Sequence, residues 1–166
     1  MPFMKAYKIP ESVLVIIYNK DKEVLLMERA DKPGFWQSVT GAKNSHEETL
    51  FDVAVREVFE ETGIQIISRN HSEKYAGNEV KKSALRSWNI TNTYEIYPEW
   101  RYKYAPGVTK NTEHVFGLLV PLGTPVFLAP REHVKFMWLP YLDAAKQCFS
   151  SSNAKAIYQL PEYFSQ

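Results

Sequence analysis

Gly41-Ala-Lys-Asn-Ser-His-Glu-Glu48, followed by Arg56-Glu57-Val58-Phe59-Glu60-Glu61-Thr62-Gly63-Ile64, is the stretch on which the reading of this chain turns. Ser45 with Glu48 three places on fits a capping box, nothing from there to Thr62 breaks a helix, and Gly63 supplies a stop. The spacing predicts a helix at about residues 46–62. Leu50, Ala54 and Val58 recur every fourth position, with Phe51, Val55 and Phe59 widening an apolar stripe that faces a core. Glu57, Glu60 and Glu61 stand at i, i+3 and i+4, so their carboxylates share about a third of the helix circumference. Like charges at that spacing repel and call for a cation. Arg56, one turn before Glu60, is one candidate. A divalent ion is the other, and hard oxygen ligands on one face suit Mg²⁺ or Mn²⁺.

Outward from the helix, Val13–Tyr18 and Glu23–Glu28 are apolar runs around a turn-rich Asn19-Lys20-Asp21-Lys22, the pattern of a strand hairpin. Trp36–Thr40, Ile64–Ile67, His114–Val120 and Val134–Leu139 read as further strands. Residues 70–87 are polar and without period, which predicts an exposed loop. Tyr141–Phe149 and Asn153–Leu160 read as helices, the second capped by Asn153. No repeat or linker interrupts residues 1–166. The expectation is a single α+β domain, an α/β/α sandwich with a mixed sheet and the acidic helix packed on it.

Composition narrows the function. Of 166 residues, 45% are hydrophobic and 23% charged, ordinary for a globular domain. Twenty Lys+Arg against nineteen Asp+Glu leave a net charge of +1, so no global field draws nucleic acid or an anionic membrane. The lone Cys148 excludes an internal disulfide, and no early apolar run has the length of a signal core or a span. These features fit a cytoplasmic protein whose phosphate recognition is local. His46, His71, His114 and His133 lack ligand spacing and read as surface or core residues rather than zinc ligands, with His133, beside Glu132, the only one that merits a test. Aromatic residues make up 14% of the chain, enough to leave some for stacking on a planar ligand.

From Glu48 onward the string satisfies E-x7-R-E-U-x-E-E-x-G-U, with U aliphatic, and so resembles the signature of the Nudix hydrolase superfamily. One departure is that Gly41 and Glu48 are separated by six residues, where that signature has five. Phe35–Gly41, Arg101–Glu113, Glu132-His133 and Trp138-Leu139 further resemble the bacterial dihydroneopterin triphosphate pyrophosphohydrolase branch. That similarity lapses between about Ser68 and Asn92.

The resemblance implies an Mg²⁺-dependent hydrolase that releases pyrophosphate from 7,8-dihydroneopterin 3′-triphosphate in folate biosynthesis. It implies Glu57, Glu61 and Glu132 as metal ligands, with Glu60 a further ligand or, like Glu132, a base for the attacking water. It implies substrate contacts at Lys8, Arg29, Thr40, Tyr94, Glu95, Ile96, Tyr97 and Ser150. The partner is a small triphosphate, without nucleic acid or membrane, and monomer and homodimer both stay open. Two rival functions use the same residues: a broad or oxidised-nucleotide pyrophosphatase, and a nucleotide sensor that binds without turnover.

Overall fold

The computed structural model describes residues 6–68 and 75–164. At its centre is β1 (Glu11–Tyr18), whose residues are buried from Ser12 onward. A continuous apolar run of this kind needs cover on both faces. Val13, Val15 and Ile17 pack into one core with Val53, Ala54 and Val58 of helix α1 (Leu50–Thr62). Leu14, Ile16 and Tyr18 point the other way. They meet Ala144 and Ala145 of α2 (Tyr141–Gln147), Ala156 and Ile157 of α3 (Ser151–Tyr158), and Leu160 of α4 (Leu160–Tyr163). Helices thus cover both faces of one mixed sheet, the α+β sandwich that the patterning predicts.

β1 runs parallel to β8 (Lys110–Leu119) along its whole length, and β8 is antiparallel to β7 (Leu85–Glu95). On its other side β1 divides its partners. Its first half pairs with β4 (Val39–Ala42), from Ser12↔Ala42 to Val15↔Val39, whereas β2 (Glu23–Arg29) meets it at Tyr18↔Val24. β2 then pairs with β9 (His133–Pro140) and β3 (Trp36–Gln37). The predicted hairpin is therefore joined at its turn, where Asn19 Oδ1 accepts from the backbone of Asp21 and Glu23, and parts beyond it. A short parallel pair, β5 (Gln65–Ile67) with β6 (Glu79–Lys81), stands apart.

Several expectations need correction. The acidic helix begins at Leu50, with Thr49 as its cap accepting from Asp52 N–H; Ser45 stays in the preceding loop. Phe59 is exposed, because at this helix end Glu61 and Thr62 occupy the buried side. Residues 70–87 are not all loop: 79–81 form β6, and Leu85 opens an eleven-residue strand. Residues 69–74, His71 among them, lie outside the described residues. The strand expected at His114 starts at Lys110. Asn153 does not cap α3; Ser150 does.

Asn153 is instead 1% exposed and tied to the bend between β3 and β4: its Oδ1 accepts from Ser38 N–H at 2.8 Å and its Nδ2 donates to Ser38 Oγ at 3.0 Å. That bend leads directly into Thr40 and Gly41, so α3 helps to set the strand against which α1 docks. Asn153→Ala leaves a buried N–H without a partner and should cost about 1–3 kcal/mol, read as a lower urea midpoint at unchanged m.

Candidate active site

Three elements converge where β1 and β2 part. The last turns of α1 supply Glu57 and Glu61, β4 supplies Thr40 and Gly41, and the turn before β9 supplies Glu132. Arg56 organises this corner. It forks onto Glu48 through Nε (2.9 Å) and Nη2 (3.1 Å), donates from Nη2 to the Ala42 carbonyl (3.0 Å), and from Nη1 to Glu57 (2.7 Å). Both ends of the loop before the helix are therefore anchored. The residues between them, Asn44 to Glu47, are exposed, so the additional residue in this loop is accommodated at a solvated tip.

Gly41 allows the tightest approach. A Cβ there would collide with the Glu57 carboxyl, so the carboxylate lies directly on the strand backbone. Glu61 goes deeper, 2% exposed, and its Oε2 has no hydrogen-bond partner. Burial, then the contact with Glu57, pushes the Glu61 carboxyl well above the usual carboxylate range, against a smaller opposing pull from the Thr40 backbone N–H. Burial also raises Glu57, offset by its bonds to Glu61 and Arg56. Arg56 balances Glu57, but among the described residues no Lys or Arg pairs with buried Glu61, whose orphaned oxygen leaves this corner short of positive charge.

A divalent cation fits that deficit. Glu61, Glu132 and His133 each bring one ligand atom to within 4.8 Å of the others, and Glu57 is joined to Glu61. His133, marked as a core or surface residue by its spacing and singled out only by its place beside Glu132, is the third member. It is 3% exposed, its Nδ1 has no partner, and burial beside Arg29 lowers its pKa to about 4, so the ring is neutral at pH 7.

These groups open onto a cleft of about 1150 Å³. Of the residues expected in the site, Lys8, Arg29, Thr40, Glu57, Glu61, Tyr94, Glu95, Ile96, Tyr97, Glu132 and Ser150 all line it. Glu60 is not brought in; its side chain is half exposed, 3.5 Å from Arg56. Arg29 holds Asp31 through two 2.8 Å bonds and reaches Gln37 at 3.3 Å. Lys8 stands near the Tyr104 ring, its ammonium lowered by desolvation and by Lys103. Tyr97 and Trp100 meet edge to face at 5.2 Å, and Phe35 stacks on Phe149 at 4.8 Å. Ser150 lines the cleft as the α3 cap, Ile96 is buried, and Glu95 is paired with Arg101. Gln37, Trp100, Asn111 and Glu113 line the cleft as well and were not expected there. Nothing in the sequence singled out Asn111 and Glu113, because Lys110–His114 are all polar and only strand alternation turns these two inward.

The family profile described as NUDIX domain matches residues 8–160. This chain belongs to the NUDIX family. It is 39% identical over 156 residues to the dihydroneopterin triphosphate diphosphatase of Escherichia coli, covering 93% of this chain and 94% of that protein. The Haemophilus influenzae protein of the same name is 38% identical over 155 residues, covering 93% and 89%. The solved structure of the E. coli dihydroneopterin triphosphate pyrophosphohydrolase superposes with a TM-score of 0.74 at 38% identity, over 93% of this chain and 97% of that one. Nudix hydrolases use divalent metal ions, in keeping with the cluster of Glu61, Glu132 and His133.

Glu61 predicts a pH signature. Its carboxyl is neutral in both folded and unfolded chains below the ordinary value of 4.5, so burial then costs nothing; as pH rises the unfolded chain ionises freely while the folded one cannot, and stability falls. Glu61→Gln should accordingly raise the metal-free Tm at pH 7, by about 2–4 °C per kcal/mol of relieved penalty, with the gain vanishing near pH 4. Added Mg²⁺ or Mn²⁺ should lift the wild-type Tm and leave that of the variant unmoved. Gly41→Ala should displace the Glu57 carboxyl and weaken the same metal-induced shift.

Proposed function

We propose that this protein is a dihydroneopterin triphosphate diphosphatase, a cytoplasmic enzyme that splits 7,8-dihydroneopterin 3′-triphosphate into the monophosphate and pyrophosphate. The observation that carries the reading is the near end-to-end likeness, 39% over 93% of the chain, to proteins of that name. One continuous cleft that joins a buried carboxylate pair to an aromatic wall supports it. A triphosphate needs the first and a flat bicyclic head group suits the second.

Glu57, Glu61 and Glu132 would hold Mg²⁺, with Mn²⁺ as a substitute. Once bound, that ion neutralises phosphate charge that repels a nucleophile and acidifies water. The chain's own residues supply the rest. Arg56 fixes the Glu57 rotamer, and Gly41 fixes its depth. Arg29, close to Glu61 and Glu132, and Lys8, close to Glu57, offer positive charge to the phosphates beside the carboxylates. Glu132 is exposed, lines the cleft and lies within reach of Glu61, so it takes the role of proton acceptor in preference to Glu60. The contacts from Tyr94, Glu95, Ile96, Tyr97, Thr40 and Ser150 complete the substrate-binding assignment.

Steady-state kinetics with Mg²⁺ test this directly, comparing dihydroneopterin triphosphate with each nucleoside triphosphate and quantifying pyrophosphate and orthophosphate separately. Pyrophosphate release with a clear kcat/KM preference for the pterin is expected. Equal turnover of nucleotides would make the protein a general pyrophosphatase, and binding without release would make it a sensor. Glu57→Gln and Glu61→Gln should each lower kcat by roughly 100-fold or more, with circular dichroism unchanged.

A further inference from the structure

Glu113 is a buried carboxylate that the phosphate chemistry does not use. It is 4% exposed, lines the cleft and pairs across β1–β8 with Ser12, on the face opposite α1. Gly41, against which Glu57 rests, lies on β4 on the far side of β1. Two strand spacings, about 10 Å, therefore separate the strand that carries Glu113 from the strand beneath the carboxylate pair. A phosphate tail and its linker bridge a gap of that order.

The hydrogen bonds Glu113 accepts, from Ser152 Oγ at 3.0 Å and Asn92 Nδ2 at 3.4 Å, both fall on Oε1. Oε2 receives neither. No Lys or Arg pairs with this carboxylate among the described residues. Buried charges are normally paired, and α3 already has its cap in Ser150, so Glu113 is not required there. Around it, Asn111 Nδ2 holds the Tyr94 hydroxyl at 3.0 Å and Ser12 Oγ at 2.8 Å. The Tyr94 ring is thereby fixed as a wall beside a carboxylate whose Oε2 is left free of Ser152 and Asn92.

We propose that Glu113 is the specificity-determining residue for the head group, accepting the adjacent ring N–H and exocyclic amino protons of a 2-amino-4-oxo heterocycle. An ionised carboxylate is acceptor-only and matches two neighbouring donors. Adenine presents a ring acceptor at the corresponding edge, and hypoxanthine lacks the amino group. The choice of this head group rests on the pterin reading, but guanine carries the same edge, so the assignment can be tested without the pterin.

The experiment compares kcat/KM for GTP, ITP and ATP in the wild type and in Glu113→Gln. GTP and ITP differ by the 2-amino group alone. Wild-type enzyme should favour GTP over ITP by roughly 10- to 100-fold, expressed in KM. Glu113→Gln should bring the two within about threefold and raise ATP turnover relative to GTP, because the amide N–H can meet adenine's ring acceptor. Equal wild-type turnover of GTP and ITP would overturn the assignment, and this needs no variant to fold. Equal loss of all three substrates in Glu113→Gln would also overturn it, marking a structural role. Strong pterin preference with no GTP–ITP gap sinks Glu113 and spares the pterin reading; a GTP–ITP gap without pterin preference does the reverse.

Discussion

Two carboxylates held side by side away from water dominate this molecule. Glu57 and Glu61 are one turn apart on α1, and both are withdrawn from solvent by β4. Their mutual repulsion opposes folding, and the surrounding architecture contains it. Arg56 takes one oxygen of Glu57 and clamps the loop that brings β4 into place; Gly41 clears the volume the carboxyl needs; Asn153 and Ser38 fix the bend from which β4 departs. The residual deficit of positive charge is what makes the site a cation receptor.

That arrangement also explains the division of roles within the acidic triplet. Helical spacing places Glu57, Glu60 and Glu61 on one patch, yet burial is not uniform across it. α1 lies on the sheet with Val58, Glu61 and Thr62 inward, which turns Glu60 outward to solvent and to the far side of Arg56. The third carboxylate of the metal cluster comes from Glu132, held by the hydrogen bond from Ala30 N–H to its carbonyl at 2.8 Å.

Much of this was legible in the sequence, because helix period, caps and the spacing from Glu48 to Ile64 are local. The acidic helix follows from one short segment, and the sandwich from short local runs along the chain. What escaped was non-local. The parting of β1 from β2 depends on β4 competing for the same strand edge, which no window of sequence reports. The run at 85–95 hid as a strand because its residues alternate weakly, Trp88 and Leu85 being buried among exposed neighbours. Asn153 carries a cap's composition but is drawn inward by Ser38, some 115 positions away. His133 and Glu113 joined the cleft through pairing with distant strands.

The parting of β1 and β2 has a bearing on how such a protein can change. One side of the cleft is built chiefly from a contiguous segment, Gly41 to Gly63, that carries Glu57, Glu61 and their clamp, with Glu132 added from the turn before β9. The other is assembled from β7, β8 and the start of α3, whose cleft-facing side chains, Tyr94, Asn111, Glu113 and Ser152, bond to one another and to Ser12. Substitutions along the second wall can alter which planar group is admitted without disturbing the charge balance of the first. Inheritance can therefore keep the bond-breaking half fixed while the recognising half drifts.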